Sequence, residues 1–157
     1  MRSRIPSPRN DATMISASRA LRYGGGPQQR EGQYLNTTLG QLMERNVSEV
    51  FGERDPGRRQ HAVSELYADD CAMYAADGES VGQEAVSDQV GRILEASPPD
   101  FAFSLVGHAE VIHDVGRLRW RSGPAGGPPV LNGMDVAVFA DGKIKALYTF
   151  IETPAAG

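Results

Sequence analysis

The residue best placed to do chemistry in this chain is Asp135. It sits in Gly133-Met134-Asp135-Val136-Ala137-Val138-Phe139, where an ionised carboxylate loses hydration unless it is paired or bonded to donors. Desolvation raises a carboxyl pKa and suits the group to work as a general acid, a general base or a neutral hydrogen-bond donor. The alternative is an ion pair with Arg119 or Arg121 on a neighbouring strand and no chemical part. Trp120 and Tyr67 each present an apolar ring with one polar tip, which fits a core position or the wall of a small-molecule pocket.

The other reactive residue types are less promising. Asp69-Asp70 is a carboxylate pair by sequence only, since adjacent residues at a helix-to-strand junction point apart and Asp is common in such turns. His61, His108 and His113 show no metal-ligand spacing. The last two, five apart in a regular strand, fall on opposite faces. Cys71, the single cysteine, has no neighbouring His or basic residue to activate it and reads as a small buried strand residue. It also excludes an intrachain disulfide framework and a cysteine-based zinc cage. Gly24-Gly25-Gly26 follows no strand and is no phosphate loop, and Gly-X-Ser-X-Gly is absent. No metal or cofactor is implied.

The elements that must position these residues follow from periodicity. From Asn36, Leu39, Leu42, Met43, Val47, Val50 and Phe51 recur at helical spacing, and Thr38 with Gln41 offers a capping box. Asp55-Pro56 reads as an N-cap followed by proline at the first helical position, opening a second helix through Tyr67 that Asp69-Asp70 closes. Cys71 to Ala75 is a short strand. A third helix runs from Gly82 to Pro98-Pro99, with Val86, Val90, Ile93 and Leu94 on one side. Beyond Pro99 the period changes to two. Gly107 marks a bulge or bend, Leu118 and Trp120 face opposite to Arg117, Arg119 and Arg121, and Asp141-Gly142 turns a hairpin between Val130–Ala140 and Lys143–Ile151. Helices followed by mostly antiparallel strands give an α+β class. Both faces of the last hairpin are apolar, so the sheet must be covered twice, by helices on one face and by a partner or a cavity on the other.

The chain has 157 residues, enough for one real core. Residues 1–33 hold six arginines against Asp11 and Glu31, a charge of +4, and the remainder carries −8 within the total of −4. The basic stretch, with Pro6, Pro8 and Gly24-Gly25-Gly26-Pro27, is expected to be a disordered extension over 1–35, although its acid-poor, Arg- and Ser-rich composition also suits an organelle transit peptide. The acidic body argues against nucleic acid as a partner. No apolar run is long enough for a membrane span, and the expected compartment is the cytoplasm.

The strings Leu66-Tyr67-Ala68-Asp69-Asp70, Val81-Gly82-Gln83-Glu84-Ala85-Val86, Gly116-Arg117-Leu118-Arg119-Trp120 and Gly133 through Ile144 resemble the nuclear transport factor 2-like superfamily, in particular its SnoaL-like, polyketide cyclase-like branch. The resemblance covers about residues 37–152 and implies one domain over 36–153. It implies a cone-shaped curved sheet, mostly antiparallel, wrapped around three helices, with an apolar pocket at the open end and an outer face that often forms a homodimer. Members range from cyclases, isomerases and dehydratases to non-catalytic binders, so fold does not settle function. Against the ketosteroid isomerases, Asp135 followed by Phe139-Ala140-Asp141-Gly142-Lys143 is similar to the position of a protonated aspartic acid that donates to an oxyanion. Their general base would fall at Ala75 and their catalytic tyrosine at Phe51, and both departures count against that chemistry. The reading that results is a pocket for a small apolar or aromatic molecule, with Asp135 as its acid/base or donor and Trp120, Tyr67, Phe51, Met73 and Thr149 shaping it. The alternative is a ligand-binding or dimerising module of the same fold without catalysis.

Overall fold

A computed structural model describes residues 27–152. The described residues divide at Gly32, with only the opening turns of a helix at 27–32 on one side and the main unit from Gln33 on the other. The expectation for residues 1–26 lies outside the described residues.

Helix α1 (Pro27–Arg45) begins nine residues before the expected Asn36. Residues 27–35 are therefore helical. The capping box is absent for the same reason, since Thr38 lies inside the helix and donates its hydroxyl to the Tyr34 carbonyl, 3.0 Å away. The chain then widens into one π-helical turn, Asn46–Val50, closed by the Phe51 N–H on the Asn46 carbonyl at 3.0 Å. Helix α2 (Pro56–Leu66) starts as its sequence predicts: Asp55 accepts from the Arg58 N–H at 2.8 Å and Pro56 occupies the first position. This satisfies an otherwise orphaned N–H with a residue whose fixed φ suits the first turn.

Strand β1 (Tyr67–Ala75) follows without a turn, so Asp69-Asp70 lies within the strand instead of closing the helix. Strand β2 (Gly78–Val81), helix α3 (Gln83–Ala96) and strands β3 (Phe101–Ile112), β4 (Val115–Pro124), β5 (Leu131–Ala140) and β6 (Lys143–Glu152) complete the order. The six strands form one curved, unclosed sheet in the order β2-β1-β6-β5-β4-β3, with β1 and β6 parallel and every other pair antiparallel. This is the α+β architecture read from the sequence. Gly107, at φ 77°, lies where the β3–β4 register shifts between Val106 and Glu110.

Alternation decides which face is inside. In β4, Gly116, Leu118, Trp120 and Ser122 are buried while the intervening arginines are exposed. In β5, Gly133, Asp135, Ala137 and Phe139 are buried. Leu118, Trp120, Ala137 and Phe139 join Met43, Val47, Val50, Val63, Leu66, Tyr67, Met73, Val90 and Leu147 in one core, each large side chain contributing about 1.5–3 kcal/mol by leaving water.

Candidate functional site

Asp135 is paired across the sheet with Leu118 on one side and Thr149 on the other, so its side chain enters the core with 2% of its surface exposed. Its partner is the Trp120 indole N–H, which donates to Oδ1 at 2.9 Å. That bond depends on a glycine. Trp120 lies opposite Gly133, two residues before Asp135, and a Cβ on Gly133 would sit 2.1 Å from the indole ring. The ring lies over the bare backbone of β5 and thereby reaches the carboxyl.

The proposed ion pair is not formed. Arg119 and Arg121 point out of the opposite face, with Arg119 Nε 3.4 Å from Glu152 Oε1 and Arg121 Nε donating to Ser104 Oγ at 3.2 Å. With no cation to favour the charged form, burial pushes the Asp135 carboxyl up to about 6, against the opposing pull of the Trp120 N–H and the Thr149 hydroxyl. Thr149 Oγ1 is itself buried and has no partner in normal hydrogen-bond geometry among the described residues. It acts on the carboxyl as a nearby dipole more than as a fixed donor.

Val47, Phe51, Phe103, Trp120 and Asp135 line a recess of about 150 Å³ that is too narrow in this conformation to hold a water. The aromatic rings meet in a chain: Phe51 and Phe103 have centroids 5.4 Å apart and tilted 55°, and Phe103 and Trp120 are 5.4 Å apart and tilted 59°. Of the residues singled out in the sequence, Asp135, Trp120 and Phe51 come together here, and Thr149 approaches the carboxyl. Met73 is a core residue outside the recess wall. Tyr67 is also outside it, fully buried, with its hydroxyl donating to Asn46 Oδ1 at 2.7 Å. Burial pushes the Tyr67 phenol well above its ordinary value, the nearby Asp135 charge adds to this, and the Asn46 bond opposes it.

Phe103 and Val47 join the site without being marked as site residues by sequence spacing, and Asn46 holds Tyr67 beside it. For Phe103 a signal exists in the alternation of Phe101, Phe103 and Leu105, and the structure pairs Phe103 with the buried Ser122. Asn46 gives none, because its inward direction is set by the π-helical turn, which no spacing in the sequence announces.

The remaining candidates lie elsewhere. Asp70 pairs with Lys145, and Asp69 accepts from Gln83 Nε2 at 3.2 Å. His61 and His108 are exposed beside Glu65 and Glu44. Burial pushes the Cys71 thiol up, which leaves it unreactive. Among the described residues no three His, Cys, Asp or Glu side chains converge as a metal site, and no helix is long and apolar enough to cross a membrane.

Comparison with known proteins agrees with this architecture. Residues 45–147 match the SnoaL-like domain family, and the chain belongs to it. A SnoaL-like family member from Agrobacterium tumefaciens strain C58, provisionally named an isomerase, is similar with 21% identity over 76% of this chain and 99% of its own, at a TM-score of 0.66. A provisionally named SnoaL-like polyketide cyclase from Jannaschia sp. CCS1 shares 15% identity over 82% of this chain and 90% of its own, at 0.63. A protein of unknown function with a cystatin-like fold from Methylobium petroleophilum PM1 shares 15% over 77% of this chain and 80% of its own, at 0.58. At these identities the likeness is one of fold. No curated protein matches the sequence.

Proposed function

We propose that this chain binds a small apolar or aromatic molecule beside Asp135 and acts on it by proton transfer or hydrogen-bond donation, in a cyclase-, isomerase- or dehydratase-type reaction. The observation that carries this reading is the Asp135 carboxyl, buried against aromatic walls with one indole N–H as its partner and no cation. A carboxyl poised near 6 exchanges protons readily at neutral pH, whereas an ion-paired one does not. Provisional names of isomerase and polyketide cyclase among the solved neighbours fit the same chemistry. Phe103, half-buried on the edge strand, is the wall that must turn aside to admit a ligand.

A second reading, a binding module without catalysis, is favoured by Ala75 and Phe51 standing where the isomerase-like members place a base and a tyrosine. In either case we propose a homodimer through the outer sheet face and a cytoplasmic location. Native mass spectrometry of the purified protein identifies a retained ligand, and turnover of that compound by the parent and by Asp135→Asn separates the two readings. Catalysis requires a loss of roughly 10²-fold or more in Asp135→Asn. Equal turnover by both proteins contradicts a role for Asp135, and binding without turnover by either selects the module.

A further inference from the structure

We propose that the Asp135 recess is a subsite for the positively charged head of a small organic amine or quaternary ammonium compound. This rests on the ligand-pocket reading and adds a charged head to the apolar or aromatic body proposed there. Three features of the recess converge on a cation. Its single ionisable side chain is an acid, Asp135, and the two arginines nearest in sequence are engaged on the opposite face of the sheet. Its other walls are three aromatic rings, with Phe103 tilted against both Phe51 and Trp120, and one valine. Beside the carboxyl, the Thr149 hydroxyl is buried without a partner among the described residues.

An ammonium group answers all three. It neutralises the carboxylate, is attracted by ring quadrupoles, and in the protonated-amine case can donate to a hydroxyl oxygen. An anionic ligand would meet a like charge. An uncharged head would leave the ionised carboxyl without a counter-charge and is accepted only with Asp135 protonated. The recess is too narrow to hold a water in this conformation, so even a small head group enters only once Phe103 turns aside, and the remainder would extend past Phe103.

The test compares choline with its neutral isostere 3,3-dimethyl-1-butanol. Binding is followed by the fluorescence of Trp120, the one tryptophan of the chain, and by calorimetry. Choline is expected to bind at least about tenfold more tightly than the alcohol. Asp135→Asn should abolish that preference. Phe103→Leu, which keeps bulk but removes a ring, should lower it several-fold. Equal or tighter binding of the alcohol overturns the cation inference and leaves the pocket reading standing. Failure of both compounds to bind at tens of millimolar, about the weakest affinity worth calling a site, overturns both.

Discussion

Asp135 combines a functional advantage with a stability cost. Its folded pKa of about 6 lies above the 3.8 of a free aspartate, so the folded protein holds the proton more tightly than the unfolded chain does. Below about pH 4 the carboxyl is protonated in both states and the site costs nothing. Stability is lost as pH rises from about 4 through 6, and the full penalty persists above that. Asparagine keeps an oxygen for the Trp120 N–H and carries no charge. Asp135→Asn is therefore expected to be more stable than the parent at pH 7 by about 1–3 kcal/mol and indistinguishable from it near pH 4. Urea unfolding at the two pH values measures this, and a less stable variant at pH 7 would show that burial of the charge is not what the site costs. That an acid in an apolar strand is perturbed is legible from its neighbours. Its partner is not, because the Trp120–Asp135 bond requires the register that sets Trp120 opposite Gly133.

At the scale of elements, local signals hold where capping or alternation decides the structure and fail where tertiary pairing does. Asp55-Pro56 opens α2, and the inward and outward faces of β4 and β5 follow strict alternation. The start of β1 departs from the local signals because Tyr67 pairs in parallel with Ile144 before a register shift, and this carries Asp69 and Asp70 into the strand despite their poor strand propensity. The π-helical turn is equally hidden. Its consequence is the buried Asn46, 1% exposed, holding the Tyr67 hydroxyl. Asn46→Leu leaves that hydroxyl unsatisfied in the core and is expected to cost about 1–3 kcal/mol, whereas Asn46→Leu combined with Tyr67→Phe should recover part of the loss. A double-mutant cycle by denaturant unfolding measures the coupling, and strictly additive losses would place the π-helical turn's value elsewhere.

For the folded unit as a whole, the sheet has one face filled by helices and one that is not. On the outer face Val106, Tyr148 and Phe150 are exposed beside half-buried Met134, Val136 and Val138, and Tyr74 stacks on Tyr148 at 4.9 Å. Arg117, Arg119 and Arg121 border this patch with Glu110 and Glu152. An apolar centre with a charged rim is the composition of an interface, and the two apolar faces are readable in the sequence itself, from Met134 to Phe139. What covers the second face is implied by family resemblance alone. The proposed dimer predicts twice the chain mass in light scattering at micromolar concentration and the single-chain mass for Phe150→Glu, which sets like charges at the centre of the patch. A parent protein that stays monomeric at high micromolar concentration would refute the dimer.

Asp135 is a buried, cation-free carboxyl bonded to Trp120, and one measurement reads this directly. With a single tryptophan in the chain, the indole N–H of Trp120 gives one resolved NMR signal whose shift follows the charge on its acceptor. Tyr67 and Cys71, the buried titratable groups nearest in the core, are both pushed upward and stay protonated through the acid and neutral range. The predicted result is a titration of that signal with a midpoint near 6 that disappears in Asp135→Asn. A signal that stays flat from about pH 4 to 8, or one that titrates at the ordinary aspartate value of about 4, would contradict it.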